Sequence, residues 1–277
     1  FNIITKPDDP TGTWNAYFKL GGATFHKALR IESVKPNRLK IDLALGEGAL
    51  DGGTTVPITL TSSWLTGPPA SGLAAKVDMT LRKGGSSFKG FEGYRFTDPI
   101  SSFSTSEHVL LDTRLNENGQ VRINVKTPAA EGAPGMLTAD LVCTVEEPGG
   151  DISFSTQTTG YSPYSAYVGV KLPEEKDSYY VETDKDYEIK VALVDKDGAR
   201  VSGHSLSYAI YKLQWSWWWE SRAESLDSYV NGYESAPISS GTIRSGNGDA
   251  SIAFRIDYPE WGRYLVYVKD ETGGHAS

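Results

Sequence analysis

Alternation with period two governs this chain. Val56, Ile58 and Leu60, then Val77, Met79 and Leu81, then Val121, Ile123 and Val125 each set apolar side chains two residues apart. That spacing lines one face of a half-buried strand. Sustained helical periodicity is missing. The one helical candidate is Glu220 to Tyr229, where Ser221, Glu224, Leu226 and Tyr229 suit a short surface turn or helix. Turn signals separate the alternating runs: Glu47-Gly48, Asp51-Gly52-Gly53, Lys83-Gly84-Gly85, Asn118-Gly119, Pro148-Gly149-Gly150, Asp197-Gly198 and Gly246-Asn247-Gly248. Gly and Asn accept the positive φ that tight hairpins need, so these sites are expected to join antiparallel neighbours. The fold class expected is all-β.

Part of this pattern occurs twice. Asn118 to Pro128 resembles Gly248 to Pro259: a turn, an alternating strand, then a proline that stops it. A closing strand follows each, Leu137 to Val145 in the first copy and Gly262 to Val268 in the second, and Gly12 to Phe18 looks like the closing strand of a still earlier copy. The chain therefore reads as the end of one unit, residues 1–37, followed by two whole units, 38–166 and 167–277. Prolines at Val34-Lys35-Pro36-Asn37 and Ser162-Pro163-Tyr164 mark extended connections. Each whole unit, at about 110 to 130 residues with some seven short strands, suits a two-sheet sandwich of the fibronectin or immunoglobulin-like kind. Residues 1–37 are left either to pair as an orphan hairpin or to stay mobile.

Charge and composition remove several function classes. With 27 Lys and Arg against 35 Asp and Glu, the net charge of -8 repels phosphate backbones, so nucleic acid is not an expected partner. Cys143, the single cysteine, has no disulfide partner and no second ligand at zinc spacing. No apolar run approaches the roughly 18 to 20 residues of a membrane helix. Phe1-Asn2-Ile3-Ile4 lacks the form of a signal peptide, and the chain opens as though in the middle of a fold.

The search for chemistry finds no GxSxG, HExxH, GxxxxGK[ST] or strand-to-helix GxGxxG pattern. No catalytic, metal or cofactor-binding residue is assigned, and no cofactor is expected. His26, His108, His204 and His275 are scattered and read as surface or hydrogen-bonded structural residues. Asp195-Lys196-Asp197-Gly198 begins like a calcium loop but lacks the third acidic position and the distal Glu, so a hairpin turn is expected there. Glu146-Glu147 and Glu174-Glu175 are adjacent and read as solvated charge. Cys143 shares a strand face with Leu141 and Val145 and reads as a small buried hydrophobe.

The most unusual run is Trp215-Ser216-Trp217-Trp218-Trp219-Glu220. In a strand, Trp215, Trp217 and Trp219 share one face with Leu213 and Tyr211, and Trp218 points from the other. A single core absorbs one such row. The rest needs cover from a loop, another domain or a ligand, and Trp261 is a candidate to supply part of it. Trp217, Trp218, Trp219 and Trp261 are therefore the expected interface; sugar stacking on exposed rings is the competing reading.

Ser63-Trp64-Leu65-Thr66-Gly67-Pro68-Pro69-Ala70-Ser71-Gly72-Leu73, followed by Phe88-Lys89-Gly90-Phe91-Glu92-Gly93-Tyr94-Arg95-Phe96, resembles a segment of bacterial alpha-2-macroglobulin proteins. Val34 to Lys40, Tyr161-Ser162-Pro163-Tyr164 with Tyr167-Val168-Gly169, the Trp217 to Trp219 run, Trp261-Gly262-Arg263-Tyr264 and Asp270 to His275 follow in the order that family uses. The resemblance spans essentially the whole chain. It implies tandem macroglobulin-like antiparallel β-sandwiches from a large cell-envelope protein, ending before its bait region. In that family a protease cuts the bait, the shell rearranges, and a thioester elsewhere can capture the protease. The family's C-x-E-Q thioester signature is absent from Cys143-Thr144-Val145-Glu146-Glu147, which holds no Gln, so no thioester role is carried onto Cys143.

The expectation is thus a non-catalytic scaffold segment of a secreted endopeptidase inhibitor, in the periplasm or at the cell surface, with any membrane anchor elsewhere in the parent. Its partners would be the parent's other domains and, through the parent, target endopeptidases. A carbohydrate-binding or adhesin module of the cell envelope is the alternative.

Overall fold

The computed structural model describes residues 12–31, 36–173, 180–213, 230 and 236–277. The helix expected at Glu220 to Tyr229 lies outside them. Strands β1 (Gly12–Leu20) and β2 (Ala23–Ile31) form an antiparallel hairpin. Among the described residues β1 pairs with β2 alone.

The first sandwich contains β3 (Leu39–Ala44), β4 (Leu50–Asp51), β5 (Thr55–Trp64), β6 (Ala74–Lys83), β7 (Ser106–Arg114), β8 (Gln120–Lys126), β9 (Leu137–Glu146) and β10 (Ile152–Ser162). One sheet has the order β3-β5-β8 and the other β4-β10-β9-β6-β7. Every pairing is antiparallel except the two-residue parallel contact of β4 with β10. The alternation places the core as expected. On β6 and β9, Ala75 faces Val145, Val77 faces Cys143, Met79 faces Leu141 and Leu81 faces Ala139, all buried. Ile58 and Leu60 of β5 close over this row from the other sheet. Each large side chain so buried contributes about 1.5 to 3 kcal/mol.

The second sandwich contains β11 (Tyr167–Lys171), β12 (Tyr187–Val194), β13 (Ser205–Leu213), β14 (Ser239–Arg244), β15 (Ala250–Phe254) and β16 (Arg263–Asp270). Its sheets run β11-β12-β15 and β14-β13-β16. The repeat is therefore a repeat of topology. The two similar segments are β8 and β15, each the third strand of a three-stranded sheet, and β7-β6-β9 corresponds to β14-β13-β16. One detail differs from expectation: Leu137 to Val145 does not close the first unit, because β10 follows and pairs along β9.

The turn signals need a larger correction. Of the seven, Pro148-Gly149-Gly150 joins hydrogen-bonded neighbours in a short turn, β9 to β10, and Asp197-Gly198 turns Val194 back onto Arg200 as an antiparallel bridge. Glu47-Gly48, Asp51-Gly52-Gly53, Asn118-Gly119 and Gly246-Asn247-Gly248 carry the chain from one sheet to the other, and Lys83-Gly84-Gly85 opens a long loop, 84–105, that returns to β7, the antiparallel neighbour of β6. Asp197-Gly198 makes a tight turn, with Asp195 Oδ1 accepting from the backbone N–H of Asp197 and Ala199, before the chain crosses to β13. Glycine satisfies a local φ without specifying which strand follows. At Gly119 the φ is +67° and an added Cβ would lie 2.3 Å from the Ser62 carbonyl oxygen, so close approach and backbone conformation both require glycine.

Glu147 is also corrected. It is 7% exposed and pairs with Arg38 at 3.0 Å, tying the β9–β10 turn to the start of β3. Glu146 is exposed, and Glu174 and Glu175 lie outside the described residues. Cys143 is buried, and that burial pushes its thiol up to about 11. Iodoacetamide at pH 8 should label Cys143 at least roughly a hundredfold more slowly in the folded chain than in urea, because the reactive thiolate is both scarce and enclosed. Comparable rates by mass spectrometry would contradict that packing.

Candidate functional site

The residues most unlike an ordinary sandwich surface lie where the two sandwiches meet. In β12 the sequence Val191-Ala192-Leu193-Val194 is buried at every position. Val191 and Leu193 face the core of their own sandwich, whereas Ala192 and Val194 face away from it. In β11, Val168 and Val170 face inward and Tyr167 outward. Burial on both faces requires a third layer.

That layer comes from the 84–105 loop of the first sandwich. Phe91 N–H donates to the Phe88 carbonyl and Tyr94 N–H to the Phe91 carbonyl, both at 3.2 Å, so two tight turns bring the rings together. Phe88 lies 4.7 Å from Phe96, and Phe91 lies 5.5 Å from Tyr94 and 5.8 Å from Phe96, all edge to face. Such pairs contribute about 0.5 to 1.5 kcal/mol each beyond area burial. Phe96 rests on Gly169, where an added Cβ would lie 2.3 Å from the ring. Beside it the loop joins the edge of β11: Arg95 N–H donates to the Val170 carbonyl and Val170 N–H to the Arg95 carbonyl, each at 2.9 Å.

Polar groups fasten the same joint. Lys196 Nζ lies 2.8 and 2.7 Å from the Asp51 carboxylate oxygens, linking the β12 turn to β4. Arg200 pairs with Asp249 at 2.6 Å while its guanidinium lies 4.9 Å from the Phe91 ring. Burial, aided by a hydrogen bond to Asp249, holds the Tyr94 hydroxyl protonated well above its ordinary range. The linker is held as well. Ser162 Oγ and Tyr167 OH are 2.7 Å apart, and Tyr164 OH donates to the Ala133 carbonyl at 2.7 Å.

The four histidines separate here. His26 contacts Asn15 Oδ1 at 2.7 Å, His108 contacts Ser106 Oγ at 3.0 Å and His204 Nδ1 contacts Asp270 at 3.0 Å. His275 alone enters the joint. It is fully buried between the Tyr164 and Tyr167 rings, and its Nδ1 accepts from Val168 N–H at 2.9 Å. Burial pushes His275 down to about 4, against the opposing pull of the Pro134 carbonyl, Asp270 and the Phe96 carbonyl. No group of three or more His, Cys, Asp or Glu suited to a metal occurs among the described residues.

Trp217, Trp218 and Trp219 lie outside the described residues. Trp261 is 67% exposed and lines a cavity of about 340 Å3 with Tyr180, Phe254 and Tyr264, apart from the Phe96 cluster. Sequence reasoning missed the joint although two signals were present. Val191 to Val194 breaks the alternation with four apolar residues in succession, and Phe88, Phe91, Tyr94 and Phe96 crowd a loop where exposed rings would be costly.

Gly169→Ala should weaken docking of the two sandwiches by about 1 to 3 kcal/mol, because the new methyl has Phe96 in its place. Calorimetry would show one unfolding transition separating into two; an unchanged single transition would show that Phe96 is not confined there. The joint should also weaken with acid. With His275 near 4 when folded and at its ordinary 6.5 when unfolded, stability is full above about pH 6.5 and falls toward pH 4, by up to about 1.4 kcal/mol per pH unit. Urea midpoints measured between pH 4 and 7 should show this slope in the native chain, reduced in His275→Gln.

Residues 37–153 match the family described as Bacterial Alpha-2-macroglobulin MG5 domain, and residues 169–277 match the one described as Bacterial macroglobulin domain 6. The chain is 22% identical over 168 residues to Alpha-2-macroglobulin of Xylella fastidiosa, covering 59% of this chain and 10% of that protein. It is 23% identical over 249 residues to the Alpha-2-macroglobulin homolog of Nostoc sp., covering 88% and 13%. The chain thus spans about a tenth of the length of these curated relatives. Among solved structures, the native conformation of E. coli alpha-2-macroglobulin aligns over 98% of this chain and 18% of its own, with TM-score 0.56 and 17% identity. Trypsin-activated alpha-2-macroglobulin from Escherichia coli aligns over 97% and 18%, with TM-score 0.57 and 15% identity. At these identities the structural likeness establishes the fold.

Proposed function

Because this chain belongs to the bacterial alpha-2-macroglobulin family and carries its MG5 and MG6 domains, we propose that it is a non-catalytic scaffold segment of an endopeptidase inhibitor that traps proteases after bait cleavage. The observation that carries this reading is the three-layer joint. An aromatic loop of one sandwich is seated on the outer face of the next, with Gly169 beneath Phe96 and Lys196 paired to Asp51 across the joint. Sandwiches fastened in this way move together, which suits a shell that must pass a displacement from one part to another. The parent would act in the periplasm or at the cell surface, and its partners would be its own further domains and the trapped endopeptidase. No helix among the described residues is long and apolar enough to cross a membrane.

Trp217, Trp218, Trp219 and Trp261 remain proposed as a contact with another domain of the parent. Trp261 at 67%, Tyr258 at 72% and Tyr180 at 76% exposure leave aromatic surface for such a contact. The same exposure favours the second reading, a carbohydrate-stacking or adhesin surface.

The deciding experiment exposes the whole parent protein to a broad-specificity endopeptidase and follows its size by light scattering and the protease by pull-down. One cleavage, compaction and retained protease are expected. Loss of retention together with polysaccharide binding would replace this reading with the adhesin. Trp218→Ala in the parent should reduce retained protease several-fold while leaving the melting of the isolated chain within about 0.5 kcal/mol of the original, as for a surface substitution. Undiminished retention would remove Trp218 from the interface.

A further inference from the structure

Among the described residues the first sandwich has two strands that the second lacks, β4 and β10, and the place of a counterpart to β10 can be located. In the first, β10 pairs along the outer edge of β9 and also reaches the start of β3. Ser153 Oγ, on a residue 1% exposed, accepts from the backbone N–H of Arg38 at 3.1 Å and of Leu39 at 3.2 Å, while Asn37 Nδ2 donates to the Phe154 carbonyl at 2.7 Å. β10 thus bridges the edge strands of the two sheets. By strand order, β16 and β11 are the counterparts of β9 and β3. Among the described residues no counterpart of β10 lies between them. A groove of about 1090 Å3 lies there instead, lined by Val170 and Leu172 on one side, Tyr264 and Val266 on the other, and Ile189 and Phe254.

The backbone at the end of this groove is already paired. Val268 N–H donates to the Ser277 carbonyl and Ser277 N–H to the Val268 carbonyl, each at 2.9 Å, and Lys269 bridges Ala276 in antiparallel sense. In such a ladder alternate residues turn their backbone groups to the same side, so the N–H and C=O of Val266 and Tyr264 face outward, next in line after Val268. No strand pairs with them among the described residues. Ser277 itself lines the groove and donates through Oγ to the Arg95 carbonyl at 2.8 Å.

We propose that this groove is a strand-binding site whose occupant is the stretch of the parent chain continuing from Ser277, which adds antiparallel to β16 as the counterpart of β10. This rests on the reading of the chain as part of a longer alpha-2-macroglobulin, and does not depend on whether that protein traps proteases. The continuing chain is favoured over a second copy or a separate peptide because it starts in register and closes no new loop. Its first four residues fall opposite Tyr267, Val266, Leu265 and Tyr264. Val266 and Tyr264 pack toward the core, so the second and fourth residues after Ser277 bring their side chains into the groove and the third points to the outer face. An edge that otherwise invites intermolecular pairing is thereby closed.

Hydrogen exchange on the intact parent and on the 277-residue chain tests this. The Val266 and Tyr264 amides should exchange at least roughly a hundredfold more slowly in the parent than in the shorter chain. Equal exchange in the two, whether both fast or both slow, overturns the proposal. A cross-link then identifies the occupant. Leu265→Cys, combined with cysteine at the third residue after Ser277, forms a directly opposed non-hydrogen-bonded pair and should oxidise to a disulfide in the parent. Protected amides without that disulfide would assign the groove to another segment or partner and likewise overturn it. The protease pull-down on the same parent reads the trapping role separately, so either idea can fail alone.

Discussion

The arrangement of this chain depends on one close approach, the ring of Phe96 lying where the side chain of residue 169 would be. Only glycine leaves that space, and with the space filled by an aromatic ring the two sandwiches share an apolar layer. The reciprocal Arg95–Val170 hydrogen bonds, the seating of Phe88 and Phe91, and the burial of Tyr167 follow from the loop being held against β11 at this point. Without the contact, Ala192 and Val194 would present apolar surface to water from the outer face of β12.

The joint combines this shape requirement with groups that are costly to bury. His275 is kept neutral between two tyrosine rings, with its Nδ1 spent on the Val168 amide, and Lys196 reaches from one sandwich to a carboxylate of the other. Apolar contact supplies most of the attraction. The directed bonds set the register of one sandwich against the next, since a displaced loop would leave Arg95 and Val170 with unpaired backbone groups. A joint of this kind suits a scaffold in which relative position matters more than any local reaction.

Much of the fold was legible because strand burial has a simple period. Val77, Met79 and Leu81 pointed to the core from sequence alone, as did Leu141, Cys143 and Val145, and the similarity of β8 and β15 disclosed the repeated unit. The glycine turns were read too locally. Asn118-Gly119 and Asp51-Gly52-Gly53 were recognisable as turns, yet their glycines satisfy dihedral needs that a hairpin and a crossing between sheets both impose. Glu147 was misread for a related reason: its partner Arg38 lies more than a hundred residues away, and nothing near Glu147 announces a carboxylate covered by a distant arginine.

The sequence by itself determined that the chain is all-β, which faces of its strands are apolar, where turns interrupt it, and which family it resembles, because these depend on neighbours within a few residues or on motif order. Only the tertiary structure decided that the loop carrying Phe88, Phe91, Tyr94 and Phe96 serves the other sandwich, that Gly169 is there for Phe96, and that His275 is buried between Tyr164 and Tyr167. Those relations join residues about 70 to 110 positions apart in different elements. Periodicity carries no record of them, since a side chain's period says which face it occupies and not what covers that face.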